Sequence, residues 1–232
     1  TPSQFAASEV IALGGVPPTR VTVTPLAVDP SFCRERRSPQ ELSDALMSMG
    51  IDARPYVLFV GGYERHKNIE GLLRTFVLVL RTIPSLMLVL VGTGAPPHRL
   101  TRAVQELGIA GHFLMLSDVS EGLVDLYDGA RVFVSMSWRE TFCLPAAEAI
   151  ARGTPVVVSA WGAGPEVVGD AGVLVDPQNS DAAAAAILKQ LAAPQSSNSR
   201  HAVAWRARDG WKTCAQLTAE VYQKLVSTRI IP

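Results

Sequence analysis

Cysteine, lysine, net charge and long apolar runs are what this sequence has least of. The three cysteines, Cys33, Cys143 and Cys214, are odd in number and far apart, which argues against a disulfide framework or a zinc site and for a reducing compartment. Lysine occurs only at Lys67, Lys189, Lys212 and Lys224, and no Lys/Arg run gathers into a patch. Arg34 to Arg37, interrupted by Glu35, reads as a solvated loop face. The 21 basic residues balance 21 acidic ones, so nothing points to nucleic acid as a partner. No apolar run approaches a membrane span: Leu86 to Val91 is strand-sized and Ala182 to Leu188 barely longer. P-loop, nucleophile-elbow, Asp-x-Asp and zinc spacings are all missing. Gly92-Thr-Gly94-Ala-Pro96-Pro97 begins like a dinucleotide fingerprint but has Pro97 at the third glycine, a poor fit to a hydride-transfer enzyme. The chain starts at Thr1 with neither Met nor a signal-like segment, and reads as a piece of a longer protein.

What is present is apolar and rhythmic. With 232 residues, nearly half of them apolar, the chain fits one large α/β domain or two small ones. A helical pattern (Phe5, Val10, Ile11, Leu13) stops at Gly14-Gly15, and Val21, Val23 and Pro25 to Asp29 read as a short strand entering a loop. Ser38-Pro39-Gln40-Glu41 is a complete capping box for a helix that stops at Gly50. From Pro55 onward short apolar runs alternate with helical ones. Strands are expected at Tyr56 to Val60, Leu86 to Val91, Phe113 to Leu116, Arg131 to Ser135, Pro155 to Val158 and Gly172 to Val175. Such alternation implies a Rossmann-like α/β doubly wound parallel sheet of about six strands, covered on both faces, with ligands at the carboxyl ends of the strands. Residues 194–199 read as a polar linker, and Trp211, Ala215, Thr218, Tyr222 and Leu225 recur at helical spacing in a closing amphipathic helix.

The chain is organised around Glu140-Thr-Phe-Cys-Leu-Pro145-Ala-Ala-Glu148. Glu140 falls in a strand-to-helix loop, and Pro145 suits the first helical position because its missing N–H is not needed there. Two carboxylates beside the open N–H groups of a helix N-terminus point to hydroxyl recognition around a phosphate. The plainer reading makes Glu140 a solvated loop residue and Glu148 a complement to the helix dipole.

Taken together these stretches resemble the C-terminal, donor-binding half of a family 4 retaining glycosyltransferase of GT-B architecture. The resemblance covers nearly the whole chain through an ordered set of motifs. Val60-Gly61-Gly62-Tyr-Glu-Arg65-His66-Lys67-Asn68 is similar to the family's first donor-phosphate loop, and Leu116 to Glu121 to its base-binding turn. Glu140 and Glu148 keep the family spacing of seven residues between glutamates, and Gly162 to Pro177 resembles the following loop and strand. The stretch from Trp211 to Tyr222 resembles the closing helix.

The resemblance implies roles residue by residue. Lys67 would neutralise the donor diphosphate, with Gly61, Gly62 and Arg65 or His66 around it; the family often has Arg where Gly62 stands. Glu140 would face the transferred sugar and its phosphate, and Glu148 the ribose hydroxyls, since a carboxylate accepts two hydroxyl hydrogen bonds. Phe142, Cys143 and Leu144 would offer backbone N–H groups, with Thr141 and Cys143 standing where the family has glycines. Asp118 and Val119 fall where the family contacts the base, and Gly162 to Glu166 would border the sugar or phosphate. Cys143 as a nucleophile is disfavoured, with no His near it in sequence. No cofactor or metal is implied.

The expected partner is a GDP- or UDP-linked hexose, with an acceptor glycan or lipid held through an N-terminal domain missing from this chain. Residues 1–36 would be the end of that domain and the connection, 37–193 the nucleotide-sugar-binding domain, and 194–232 the linker and closing helix. The fragment alone is expected to be inactive, the location cytoplasmic, and a peripheral place at the inner membrane surface stays open for the full-length protein. A nucleotide-sugar epimerase and a non-catalytic nucleotide-sugar-binding module are the rival readings.

Overall fold

The computed structural model describes residues 1–192, 205 and 210–229. The expected linker at 194–199 lies outside the described residues. Six strands make one sheet: β1 (Tyr56–Val60), β2 (Met87–Gly92), β3 (Phe113–Ser117), β4 (Val132–Ser135), β5 (Val156–Ser159) and β6 (Val173–Val175). Their order is β3-β2-β1-β4-β5-β6, and every pairing is parallel. The chain builds outward from β1 to β3, then returns to the other side of β1 with β4. The crevice between the ends of β1 and β4 is therefore the switch point at which doubly wound sheets take ligands.

Helices lie on both faces, and the strands divide their side chains between them. Tyr56 and Leu58 of β1, Val89 and Val91 of β2 and Phe133 of β4 face a core shared with α5 (Leu123–Gly129), α6 (Leu144–Arg152) and α7 (Gly164–Val168). Their neighbours Val57, Phe59, Leu88, Leu90, Val132 and Val134 face α3 (Ile69–Leu80), α4 (His98–Glu106) and α8 (Ser180–Ala192). Continuous apolar runs are what a strand buried on two faces requires. Burial at about 25 cal/mol per Å² of apolar surface makes this two-sided packing the main stabilising term.

The outer elements follow their local signals with two corrections. Helix α1 (Gln4–Gly14) ends at Gly15, which is left-handed at φ 63°, and α2 (Pro39–Ser48) carries the capping box in full. The strand expected at residues 21–29 is irregular backbone instead, entered by a 3₁₀ turn at Pro18–Arg20 and left by another at Pro30–Cys33. Pro17, Pro18, Pro25 and Pro30 interrupt any ladder there. Thr24 N–H instead donates to Thr1 O, and the Thr1 ammonium to Thr22 O.

The second correction concerns the arginine run. Arg34 and Arg37 pair with the buried Asp125, at 3.4 and 2.9 Å, and Arg36 with the buried Asp128 at 3.4 Å. Asp128 also takes a two-pronged contact from Arg152 at 2.8 and 2.6 Å, and Arg152 donates to Phe32 O and Arg34 O. Partners some 90 residues away in sequence turn a seemingly solvated run into a clamp that fastens residues 30–37 to α5 and α6.

Helix α9 (Gly210–Arg229) lies against the irregular segment: Cys214 Sγ contacts Thr24 O at 3.8 Å, and a Cβ on Gly210 would strike Ala27. Tyr222, Leu225 and Val226 stay exposed on it. Among the described residues, no helix is long and apolar enough to cross a membrane.

Candidate functional site

Three loops at the carboxyl edge of the sheet meet at the switch point. The loop after β1 ends in a 3₁₀ turn, Arg65–Lys67, and then in Asn68, which is left-handed at φ 52° and 4% exposed. Asn is among the few residues other than Gly that adopt this conformation readily. Its amide donates to Met136 O at 2.9 Å and Pro177 O at 3.2 Å, and Gly71 has no Cβ to displace it. His66 O accepts from Trp138 N–H at 2.7 Å. These bonds lock the β1 loop to the β4 loop and place Lys67 across the crevice.

Lys67 Nζ lies 2.8 Å from Glu140 Oε1, and the same oxygen accepts from Ser137 Oγ at 2.7 Å. Ser137 is fully buried, while the Lys67 and Glu140 side chains keep 18% and 14% exposure. The pair is thus sheltered yet reachable. Glu140 is also fixed from behind: Ala163 N–H donates to Glu140 O at 2.9 Å, and Gly162, at φ 77°, sits so near that a Cβ would strike the Glu140 backbone.

Helix α6 begins at Leu144, one residue before the expected start, so Pro145 is its second residue. The residue before it, Cys143, is left-handed at φ 73° and ψ 53°. This conformation suits the glycine that the resemblance implies at this position, and Cys bears the cost. Thr141 is not among the residues of positive φ, so the second expected glycine meets no such demand. Among the described residues, none accepts a hydrogen bond from the N–H groups of Phe142, Cys143 or Leu144. They stand open at a helix N-terminus beside Lys67 and Glu140, where an anion is favoured. The Cys143 thiol is buried, and that burial pushes its pKa up to about 12, which leaves no thiolate for nucleophilic work near neutrality.

Glu148 projects from the second turn of α6 and is 9% exposed. Tyr127 donates its phenolic proton to Glu148 Oε2 at 2.8 Å, leaving Oε1 for a ligand hydroxyl. Desolvation raises the Glu148 pKa above its ordinary value of 4.5, and the Tyr127 bond opposes the rise. Tyr127 was not legible as a site residue. Nothing in the spacing of α5 shows that its last turn underlies α6.

The remaining expected residues are dispersed around this centre. Gly61 continues the ladder, its N–H donating to Val91 O, and the Glu64 carboxylate covers the α-carbon of Gly62 where an arginine side chain would begin. Arg65 and His66 are exposed. Asp118 is left-handed at φ 55°, and its carboxylate accepts from Gly94 N–H at 3.1 and 3.2 Å, tying the β2 and β3 loops together. Val119 is half-buried beside the α5–α6 core. Thr141 is exposed, but its carbonyl accepts from the buried Ser3 Oγ at 2.6 Å. Phe142 is buried edge-on against Trp205, with ring centroids 6.2 Å apart. Glu166 is occupied elsewhere: its carboxylate accepts from the N–H groups of Gln4 and Phe5 at 3.0 and 3.2 Å, capping α1.

The sequence pattern of the family described as glycosyl transferases group 1 matches residues 48–209, the span that builds the sheet and all three loops. The chain belongs to this family. Similar proteins include O-antigen chain mannosyltransferase B of Escherichia coli, 35% identical over 97% of this chain and 60% of that protein. D-inositol 3-phosphate glycosyltransferase 2 of Catenulispora acidiphila is 33% identical over 95% of the chain and 54% of that protein. The chain therefore spans little more than half the length of these relatives. Among solved structures, sucrose-phosphate synthase of Thermosynechococcus elongatus superposes with a TM-score of 0.74 at 28% identity, over 89% of this chain and 53% of that one. The Anabaena protein HepE, solved with UDP-glucose, gives 0.76 at 17% identity over 98% and 63%. These matches agree with a sheet of GT-B type in a group 1 glycosyltransferase chain.

Proposed function

We propose that this chain is the donor-binding half of a retaining family 4 glycosyltransferase. It holds a nucleoside diphosphate hexose for transfer to an acceptor hydroxyl. The observation that carries the reading is the convergence of Lys67, Glu140 and the open N–H groups of residues 142–144 at the switch point, with Glu148 one turn further along the same helix. Lys67 and the helix N-terminus bind the diphosphate and favour its departure. Glu140 takes the hydroxyls of the sugar, and Glu148 those of the ribose. Asp118 and Val119 edge the base.

Glu140 is already paired with Lys67, and the Cys143 thiol is protonated, so neither serves as nucleophile in this reading. The departing diphosphate takes the acceptor proton, and transfer occurs on the face it leaves. The donor is a GDP- or UDP-linked hexose, with mannose among the sugars in view of the resemblance to a mannosyltransferase. The acceptor is a glycan or lipid, held by a separate N-terminal domain, a reading supported by the chain spanning only 60% and 54% of the length of its relatives. Residues 1–36 belong to the end of that domain and the connection, 37–193 to the donor domain, and 194–232 to the linker and closing helix. We place the protein in the cytoplasm, a reading that its three scattered cysteines support.

The test is transfer assayed with the upstream domain restored, following the anomeric proton of the product by NMR. Retention at the anomeric carbon is expected; inversion, or epimerised donor with no transfer, would overturn the mechanism.

A further inference from the structure

Two tryptophans stand at the carboxyl edge beside Glu140 and have no part in the scheme above. Trp138 follows β4 and Trp161 follows β5, with ring centroids 5.6 Å apart and planes inclined at 49°. Neither belongs to the two apolar cores, and Trp161 is 40% exposed. Their backbones are nevertheless held. Trp138 N–H donates to His66 O at 2.7 Å, and Trp161 N–H to Ser159 Oγ at 3.0 Å. Gly162, next to Trp161, lies against the Glu140 backbone. The backbones that carry the two rings are thus held beside the Glu140 backbone, the rings meet each other, and Trp161 is left exposed.

We propose that Trp138 and Trp161 form an aromatic subsite for a pyranose ring. A hexose presents a face of C–H bonds that lies well on an indole, while its rim of hydroxyls needs carboxylate and backbone partners. The loop after β5 carries Trp161 up to Gly162, which lies against the Glu140 backbone, and Trp138 meets Trp161, so indole surface and a carboxylate share one edge of the sheet. The inference rests on the nucleotide-sugar reading and adds a residue set that reading does not use. The pyranose belongs either to the donor or to the end of an acceptor glycan that reaches across from the N-terminal domain; the chemistry is the same and the experiment separates them.

Calorimetry of this chain and its Trp161→Ala and Trp161→Phe variants would use three sets of probes: GDP and UDP, GDP-mannose and UDP-glucose, and methyl α-mannoside with methyl α-glucoside. Melting curves establish that each variant is folded. Trp161→Ala is expected to weaken a sugar-bearing probe by about five- to tenfold, the scale of one aromatic contact. Trp161→Phe should recover most of the loss, and the bare diphosphate should bind all three proteins alike. Loss on the sugar nucleotide assigns the subsite to the donor; loss on the methyl glycoside alone assigns it to the acceptor. Equal affinity for every probe, or equal loss on diphosphate and sugar nucleotide, overturns the aromatic subsite and leaves the site at Lys67 standing. No binding of any nucleotide by the folded chain removes the nucleotide-sugar reading, and this inference with it.

Discussion

Lys67 and Glu140 form an ion pair of 2.8 Å across the switch point of the sheet, joining the loop after β1 to the loop after β4. The lysine to which we assign the diphosphate is therefore engaged by a carboxylate before any ligand arrives. Binding exchanges one anionic partner for another, so the two residues have opposite effects when removed. Lys67→Met should weaken nucleoside diphosphate binding about tenfold and leave the phosphate-free nucleoside unaffected, as the loss of one charge-assisted hydrogen bond implies. Glu140→Gln should bind the diphosphate as well as the native chain or better, while transfer by the full-length enzyme falls. Weaker diphosphate binding by Glu140→Gln would contradict this account of the pair.

Glu148 carries the pH dependence. Burial raises its pKa, so the folded chain holds its proton to higher pH than the unfolded chain. Its contribution to stability is complete below the ordinary value of 4.5 and declines as pH rises through the folded pKa. Glu148→Gln removes the titration. Melting temperatures of the native chain should fall relative to Glu148→Gln as pH is raised from about 4.5 toward neutrality, whereas nucleotide binding to the native chain should strengthen over the same interval, because ribose hydroxyls donate to the ionised form. Parallel melting profiles would rule out a raised Glu148 pKa.

Cys143 tests the backbone at the start of α6. At φ 73° a residue with a Cβ is strained by about 1–2 kcal/mol relative to Gly. In an ordinary conformation a glycine variant is less stable than an alanine variant, by about 0.5–1 kcal/mol. Here the order should reverse, with Cys143→Gly at least as stable as Cys143→Ala in denaturant titrations. Thiol alkylation at neutral pH should label the exposed Cys33 well before Cys143. A more stable alanine variant would contradict the left-handed assignment.

Arg152 tests the clamp beneath the site. It is 4% exposed and faces Asp128, which is 7% exposed, through two hydrogen bonds. Removing Arg152 leaves the buried Asp128 with only the half-exposed Arg36 at 3.4 Å, so Arg152→Ala should cost about 3 kcal/mol of stability, the low end for breaking a buried pair. Adding Asp128→Asn should recover part of that loss. Additive losses in the double variant would show that the two residues do not act as a pair.

The sequence made the sheet legible because its strands are buried on both faces, and unbroken runs such as Leu88 to Val91 then admit few alternatives. The capping box at Ser38 was legible because its chemistry is complete within four residues. Glu140 and Lys67 could be named from the motif order, but their pairing could not, since it depends on the β1–β4 adjacency. Contacts made at long range escaped altogether. Tyr127 meets Glu148, Ser3 meets Thr141, and the arginines of residues 34–37 meet Asp125 and Asp128; no periodicity encodes any of these. The supposed strand at residues 21–29 failed because alternation of small apolar residues outweighed Pro25 and the prolines that flank the segment.

The central claim is that Lys67, Glu148 and the N-terminus of α6 hold a nucleoside diphosphate. Calorimetric titration of GDP and UDP into the native chain and into Glu148→Ala tests it most directly. One site on the native chain is expected for at least one of the two nucleotides, weakened tenfold or more in the variant, about 1.4 kcal/mol or greater. A folded native chain that binds neither nucleotide, or a Glu148→Ala chain that binds as the native does, would contradict it.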